Sequence, residues 1–210
     1  MITKYTIDET IHILKKRPSD HIYMFNNVIS DEHCEIIREH IEKNAIIKEC
    51  EKHNSSNVKA YVRKNEFLDS SESLYKEIFE SFFDRLCSTL QSRYAIIINT
   101  FEQLLLRKIY GDTALHEDTS LHVDDIYGTV DLKIYIPPRK LACIIAVNDD
   151  YEGGELIFPC QDRAIKLKKG QMILFPPYFT HPHYSEKLKN NTYRYTITTW
   201  LGEHNKSAAL

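Results

Sequence analysis

The second half of the chain, from about residue 95 onward, is a succession of short strand-like runs that end in turn residues. Residues 141–147 form an apolar run that stops at Asn148, and residues 193–201 alternate between two faces. Further runs cover residues 95–99, 104–110, 155–158, 165–168 and 172–175. Glycines at Gly153, Gly154 and Gly170 mark tight turns between them. Many short strands with tight turns predict a β-sandwich or barrel.

The first part of the chain follows a helical period instead. Cys34, Ile37 and Ile41 recur on one face after Ser30, which is a suitable N-cap residue. A second helix is predicted over about residues 71–91, because apolar and aromatic residues recur there every three or four positions. So wide an apolar stripe is typical of a helix that packs against a sheet.

The size of the chain sets the number of domains. With 210 residues and 42% hydrophobic content, the chain can bury one sizeable core. We therefore expect a single domain over residues 1–210, with a mainly helical support region at 1–94 and a β-rich core at 95–203. The expected fold class is mainly β with N-terminal helices.

Charge and composition argue against several kinds of partner. The formal net charge of −3 lacks the basic excess of proteins that bind a phosphate backbone, so no nucleic acid partner is evident. No run is long and apolar enough to span a membrane, and we expect a soluble, cytoplasmic protein. The five scattered cysteines argue against a disulfide framework and a thiolate zinc site. The sequence does not indicate an oligomeric state.

Metal-binding residue types are concentrated in the β-rich half. His122 and Asp124 form an H-x-D pair, whose side chains point to the same side of an extended segment. His181 and His183 follow further along, and Arg194 lies on the last predicted strand. Two imidazoles and one carboxylate suit Fe(II), because they hold the metal on one face and leave three positions open for chemistry.

The order of these residues and their neighbours resembles the 2-oxoglutarate/Fe(II) dioxygenases of the prolyl-4-hydroxylase-like family. The matching stretches lie between about Leu104 and Leu201 and read LRKIYG, the H-x-D pair, AVNDDYEGGELIFP, KGQMILFPP, THPH and YRYTITTW. The resemblance implies a double-stranded β-helix, or jelly roll, as the catalytic core. It also implies Fe(II) as the metal, 2-oxoglutarate as the co-substrate and ascorbate as a further candidate cofactor.

The resemblance assigns roles to individual residues. The iron ligands would be His122, Asp124 and His183. Arg194 would hold the far carboxylate of 2-oxoglutarate through paired hydrogen bonds from its guanidinium, a geometry that lysine does not reproduce. Two more residues match family positions that contact the co-substrate, namely Tyr110 and Thr196.

The proximal ligand pair has a rival within the sequence. Residues 112–117 read DTALHE and residues 118–123 read DTSLHV, which is a tandem repeat. The repeat offers a second H-x-D pair at His116 and Asp118. The later pair is favoured because the residues around it read as a cleaner strand, and the other copy would then be a solvated loop.

The distal histidine also has two candidates. His183 lies 11 residues before Arg194, and His181 lies 13 residues before it. The shorter spacing is closer to the family pattern, so His183 is favoured. In that case His181 is a residue of the pocket or a surface histidine.

The resemblance favours hydroxylation of a prolyl residue in a protein or peptide, and a small-molecule substrate is an open alternative. A rival function is a cupin-like metal-binding jelly roll without oxygenase activity, in which His181 and His183 bind zinc or manganese. Such a protein has no use for Arg194, so substitution of the arginine distinguishes the two functions. The substrate itself is not indicated, because residues 126–139 match no specific motif.

Overall fold

A large antiparallel sheet dominates the computed structural model, which describes residues 20–44, 46–49, 64–69, 73–102, 104–109 and 139–203. The predicted site residues outside these ranges are Tyr110, His116, Asp118, His122 and Asp124. In chain order the described strands are β1 (Tyr23–Phe25), β2 (Ile46–Glu49), β3 (Lys64–Asp69), β4 (Thr100–Phe101), β5 (Leu105–Ile109), β6 (Arg139–Ala146), β7 (Glu152–Gly153), β8 (Leu156–Phe158), β9 (Arg163–Ile165), β10 (Met172–Phe175), β11 (Tyr184–Ser185), β12 (Leu188–Lys189) and β13 (Arg194–Gly202).

Two α-helices lie among the described residues of the N-terminal half. Helix α1 is Asp31–Asn44, and the backbone N–H of His33 donates to Ser30 Oγ at 3.1 Å, which confirms the predicted N-cap. Helix α2 is Ser73–Tyr94, close to the range that the apolar period predicts. Within the described ranges, neither helix combines the length and the apolar character needed to cross a bilayer.

The strand predicted over residues 95–99 is wrong, because these residues are the exit from α2. Ala95 adopts a left-handed φ of 53°, and the N–H of Ile96 donates to the carbonyl of Leu90 at 3.1 Å. This bond satisfies a carbonyl at the end of the helix. The apolar residues of the run serve burial instead, since Ile98 packs in the core beneath the sheet.

The large sheet has the strand order β1-β10-β6-β13-β5-β3-β2, and β4 also pairs with β13. All of these pairings are antiparallel. On β13, Thr196 lies opposite Ala146 of β6 on one side and Arg107 of β5 on the other. Pairing on both sides fixes the register of β13, and with it the face to which each side chain points.

Three strands of this sheet, β1, β2 and β3, come from the N-terminal half and were not predicted. They have 3, 4 and 6 residues, and β1 and β2 are the two edges of the sheet. β3 mixes charged and apolar residues without a clear alternation, and its pairing partner β5 lies far along the chain. Such strands depend on long-range pairing rather than on local propensity.

A smaller layer of strands faces one side of the large sheet. In this layer β11, β8 and β9 form a three-stranded sheet, and β12 pairs with β7. Between the layers lies the cluster that we call the sandwich interior, composed of Ile22, Ala142, Ala146, Leu156, Phe158, Ile165, Leu167, Ile173 and Phe175. On the other side of the large sheet, α1 and α2 cover the helix-side core, which includes Ile37, Phe79, Phe82, Leu86, Cys143, Tyr195 and Ile197.

The alternation predicted for the last strand is confirmed. Tyr195 and Ile197 belong to the helix-side core, whereas Trp200 packs against the sandwich interior. Since successive side chains of a strand point to opposite faces, Arg194 and Thr196 lie on the interior face of β13. The predicted fold class, mainly β with N-terminal helices, is likewise confirmed.

Candidate active site

The described part of the candidate site is its distal half, formed by His181, His183, Arg194 and Thr196. Across the described ranges, no group of three His, Cys, Asp or Glu side chains is arranged to hold a metal ion. The H-x-D pairs and Tyr110 lie outside those ranges. The described site residues are therefore the two candidates for the distal ligand and two candidate co-substrate residues.

His183 lies against the sandwich interior and is only 2% exposed. Its ring packs on Phe158 and Phe175, with centroid distances of 5.4 and 4.8 Å. Its Nδ1 lies 3.0 Å from the carbonyl oxygen of His181. Because a carbonyl only accepts hydrogen bonds, Nδ1 carries the proton and the lone pair of the neutral ring is on Nε2. A backbone carbonyl on the other nitrogen is the usual arrangement of a metal-binding histidine.

His181 is also buried, but both of its ring nitrogens have hydrogen-bond partners. Nε2 donates to the carbonyl of Asp20 at 2.8 Å, and Nδ1 accepts from the hydroxyl of Thr180 at 2.9 Å. Burial lowers the pKa of His181, so the neutral ring predominates at neutral pH. In this arrangement His181 ties the chain before β1 to the loop that carries His183, and neither nitrogen is left for a metal.

Arg194 begins β13 and extends from the large sheet to the smaller layer. Its Nη1 donates to the carbonyl of Gly154 at 2.6 Å, and its Nη2 donates to Ser185 Oγ at 2.8 Å. These two hydrogen bonds to neutral oxygen atoms orient the guanidinium. An oriented guanidinium in a largely apolar interior suits a carboxylate ligand, because its donors form paired bonds to two oxygens.

The turn that supplies the Gly154 carbonyl requires glycine. Gly153 and Gly154 have φ values of 69° and 71°. A Cβ on Gly153 would lie 2.4 Å from the backbone oxygen of Lys187, and a Cβ on Gly154 would lie 2.7 Å from the side chain of Leu188. The predicted turn is thus confirmed, and it brings a backbone carbonyl into contact with Arg194.

Thr196 lies two residues after Arg194 on the same interior face of β13 and is 2% exposed. Its Oγ1 is buried and has no hydrogen-bond partner within the described part of the chain. Leaving a buried hydroxyl unsatisfied costs about 1–3 kcal/mol. A carboxylate oxygen bound beside the guanidinium would satisfy it, so these residues fit a dicarboxylate co-substrate.

Sequence reasoning did not identify Ser185 or Gly154 as partners of Arg194. Ser185 belongs to the two-residue strand β11, which is too short to show an alternation. Gly154 was recognised as a turn residue, but nothing in the sequence indicates that its carbonyl faces an arginine 40 residues later. A polar residue two positions after the distal histidine is the only local signal for Ser185.

Comparisons with known proteins agree with this chemistry. Residues 109–202 match the family model described as the 2OG-Fe(II) oxygenase superfamily. This range contains the H-x-D pair His122 and Asp124, together with His183 and Arg194. No curated protein matches the sequence significantly.

Solved structures of similar fold include two prolyl hydroxylases and a prolyl-4-hydroxylase. The 2OG complex of the viral collagen prolyl hydroxylase of Paramecium Bursaria Chlorella virus-1 has a TM-score of 0.61 at 18% identity, over 89% of this chain and 98% of that one. A Trichoplax adhaerens prolyl hydroxylase, in complex with a hypoxia inducible factor peptide fragment, has a TM-score of 0.64 at 14% identity, over 92% and 89%. A Pseudomonas putida prolyl-4-hydroxylase has a TM-score of 0.61 at 10% identity, over 93% and 100%. At these identities the likeness shows the fold, the double-stranded β-helix.

Proposed function

We propose that the chain is a 2OG-Fe(II) oxygenase that hydroxylates a prolyl residue of a protein or peptide, with 2-oxoglutarate as co-substrate, since residues 109–202 match the model of that superfamily. The prolyl substrate is supported by the prolyl hydroxylases of similar fold, one of which was solved with a bound peptide fragment. The scattered cysteines suit a reducing cytoplasm as the place of action. Fe(II) and 2-oxoglutarate are the cofactors that the family implies.

The proposed iron ligands are His122, Asp124 and His183. His183 supports this assignment, because its Nδ1–H is held by a backbone carbonyl and its Nε2 lone pair is the one suited to a metal. Bound Fe(II) would supply the oxidising chemistry, in which one oxygen atom of O₂ enters succinate, formed with CO₂ from 2-oxoglutarate, and the other forms the new hydroxyl. The apolar rings of Phe158 and Phe175 limit the access of water to this side of the site.

The single observation that carries the proposal is the oriented guanidinium of Arg194 between the two layers. Its contacts to Gly154 and Ser185 fix its direction, and Thr196 adds a buried hydroxyl on the same face. Together they would bind the far carboxylate of 2-oxoglutarate. Tyr110 would complete the co-substrate site, as the family pattern implies.

An anaerobic titration tests co-substrate binding directly. Adding 2-oxoglutarate to the Fe(II)-loaded protein should produce the weak visible charge-transfer band of a chelated metal, and the band should saturate. Arg194→Ala should bind Fe(II) as before but require far more 2-oxoglutarate, because the paired contacts to the carboxylate are lost. If the chain is instead a cupin-like metal-binding protein, neither the parent nor the Arg194→Ala variant should show the band.

A turnover assay then tests the reaction and its substrate. Proline-containing peptides should release succinate from 2-oxoglutarate only when Fe(II) is present, with a gain of one oxygen atom on a prolyl residue by mass spectrometry. Oxygen found on a different side chain or on a small metabolite would contradict the prolyl assignment alone. Absence of Fe(II)-dependent succinate with every peptide and metabolite would contradict the oxygenase activity itself.

A further inference from the structure

We infer that Asn148 is a positioning residue for Arg194, an inference that rests on the function proposed above. The ladder between β6 and β13 ends at the pair Ala146 and Thr196, and Asn148 lies two residues beyond that end of β6. It is only 2% exposed, although it is a polar residue in a turn. A buried amide of this kind is retained only where its hydrogen bonds are satisfied.

The side chain of Asn148 bonds to both neighbours of Arg194. Its Nδ2 donates to the carbonyl of Tyr193 at 2.9 Å, and its Oδ1 accepts the backbone N–H of Tyr195 at 2.8 Å. The N–H of Val147 adds a bond of 3.0 Å to the carbonyl of Tyr195. One side chain thus extends the strand pairing beyond the end of β6 and holds the backbone immediately before and after the arginine.

The orientation of this amide is fixed by a second contact. Nδ2 of Asn148 also donates to Asp150 Oδ1 at 2.6 Å, and Asp150 Oδ2 accepts from Arg38 Nη1 of α1 at 2.9 Å. Burial raises the pKa of Asp150, but the hydrogen bonds from Asn148 and Arg38 outweigh it and hold that pKa below its usual value. A flipped amide would set its oxygen against two acceptors, so the carboxylate keeps Nδ2 toward Tyr193.

The position of the Arg194 backbone affects co-substrate binding, because the guanidinium that would bind the carboxylate lies far from that backbone. The guanidinium lies at the end of a long side chain and meets Gly154 and Ser185 in the other layer. A small change in the direction of the Arg194 Cα–Cβ bond displaces the guanidinium by a larger amount. Paired bonds to a carboxylate are sensitive to direction, so such a shift weakens co-substrate binding without touching the metal.

The test compares the dissociation constant of 2-oxoglutarate across variants in the anaerobic Fe(II) titration. Asn148→Ala is expected to weaken 2-oxoglutarate binding about tenfold, with the Fe(II) affinity and the kcat at saturating co-substrate within about twofold of the parent. Asn148→Asp keeps the size and the acceptor for Tyr195 but loses both donated bonds. Asn148→Asp is therefore also expected to weaken 2-oxoglutarate binding while kcat stays nearly unchanged. If Asn148→Ala does not fold, Asn148→Asp provides the test in its place.

Thr199→Val is the matched control for a lost buried hydrogen bond on the same strand. Thr199 Oγ1 donates to the carbonyl of Glu102 at 2.8 Å on the helix-side face, away from the neighbours of Arg194. This variant is expected to lower the unfolding temperature and leave the affinity for 2-oxoglutarate unchanged. An equal loss of affinity in Thr199→Val and Asn148→Ala would overturn the inference, since a general loosening of β13 would then explain both.

A double-mutant cycle with Arg194→Lys completes the test. If Asn148 acts through the guanidinium, Asn148→Ala should change the affinity less than about twofold in the Arg194→Lys protein, because the flexible lysine lacks the directional fork. The same tenfold loss in both backgrounds would overturn the inference alone. If Arg194→Lys itself binds 2-oxoglutarate as the parent does, the proposed function of the arginine fails, and the inference fails with it.

Discussion

On its helix-side face, β13 contributes Tyr195 and Ile197 to the helix-side core, in which the ring of Phe79 lies 4.7 Å from that of Phe101. On its interior face, the same strand presents Arg194 and Thr196, which are polar groups in a largely apolar space. The first face gains free energy from buried apolar area and from ring contacts. The polar groups on the second face reduce this gain in free energy. Such a cost is expected where a ligand forms hydrogen bonds to the polar groups.

The comparison predicts that the helix-side face of β13 mainly determines stability, whereas its interior face mainly determines ligand binding. Substitutions in the helix-side core should change the free energy of unfolding with little effect on ligand affinity in the folded fraction. Substitutions on the interior face should do the reverse. The following variants test whether the two faces are independent in this way.

The largest effect is expected from His183→Ala. Loss of the proposed distal ligand should reduce Fe(II) binding and bring turnover to background in the folded fraction of the protein. His181→Gln is the matched control and should retain Fe(II), since both nitrogens of His181 bond within the protein. Fe(II) binding that survives in His183→Ala but is lost in His181→Gln would reverse the two assignments.

The next largest effect belongs to the helix-side core. Phe79 is 1% exposed. Its ring centroid lies 4.7 Å from that of Phe101, 4.9 Å from that of Phe82 and 5.7 Å from that of Phe83. Phe79→Ala should lower the free energy of unfolding by about 3–5 kcal/mol, which urea denaturation measures. The remaining folded protein should bind 2-oxoglutarate with unchanged affinity. A large loss of affinity would show that the two faces are coupled through β13.

Thr196→Val tests the interior face with a smaller change. The substitution removes the buried Oγ1 and nearly preserves the volume, so the free energy of unfolding should stay the same or rise, because an unsatisfied polar group is lost. The affinity for 2-oxoglutarate should fall about fivefold, consistent with one hydrogen bond of about 1 kcal/mol. Unchanged affinity would remove Thr196 from the co-substrate site.

The smallest effect concerns the polar edge of the helix-side face, where the hydroxyl of Tyr195 and Nζ of Lys108 donate to Glu42. Burial raises the pKa of Glu42, but these two hydrogen bonds outweigh it and hold the pKa below its ordinary value of 4.5. The stabilisation is therefore fully present above pH 4.5 and is lost as the pH falls through the lower folded-state value.

Glu42→Gln should thus flatten the acid side of the stability–pH curve, as measured by urea denaturation at several pH values. The Glu42 side chain is 44% exposed, so solvent screening limits the effect to less than about 1 kcal/mol. A steeper acid loss in the variant than in the parent would contradict the direction of the pKa shift.

Local patterns were enough to predict the elements with a strong period. The apolar repeat of α2 and the alternation of β13 each arise within one segment, so the sequence shows which face is buried. The Ser30 cap is equally local. The assignments to Tyr110, His122 and Asp124, and the choice between the two H-x-D copies, remain predictions, since those residues lie outside the described ranges.

Long-range contacts account for what the sequence did not reveal. Strand β3 is specified by its pairing with β5, and the bond from Arg194 to Gly154 joins residues 40 positions apart. The bond from Tyr195 to Asn148 spans 47 positions. Such contacts form only after the chain has folded, and no single-segment pattern records them. The strand prediction for residues 95–99 was wrong for a local reason. The hydrogen bonds that end α2 determine the conformation there, despite the β-rich composition.

Arg194 also has a thermodynamic consequence, because it leaves one layer of the sandwich and bonds to the other. A dicarboxylate bound to this guanidinium would stabilise the packing of the two layers. Separation of the layers on unfolding would then require release of the dicarboxylate. Occupancy and unfolding are then linked equilibria, so the melting temperature should climb with the 2-oxoglutarate concentration. If the proposed function holds, a high cellular concentration of 2-oxoglutarate would thereby prolong the lifetime of the folded protein.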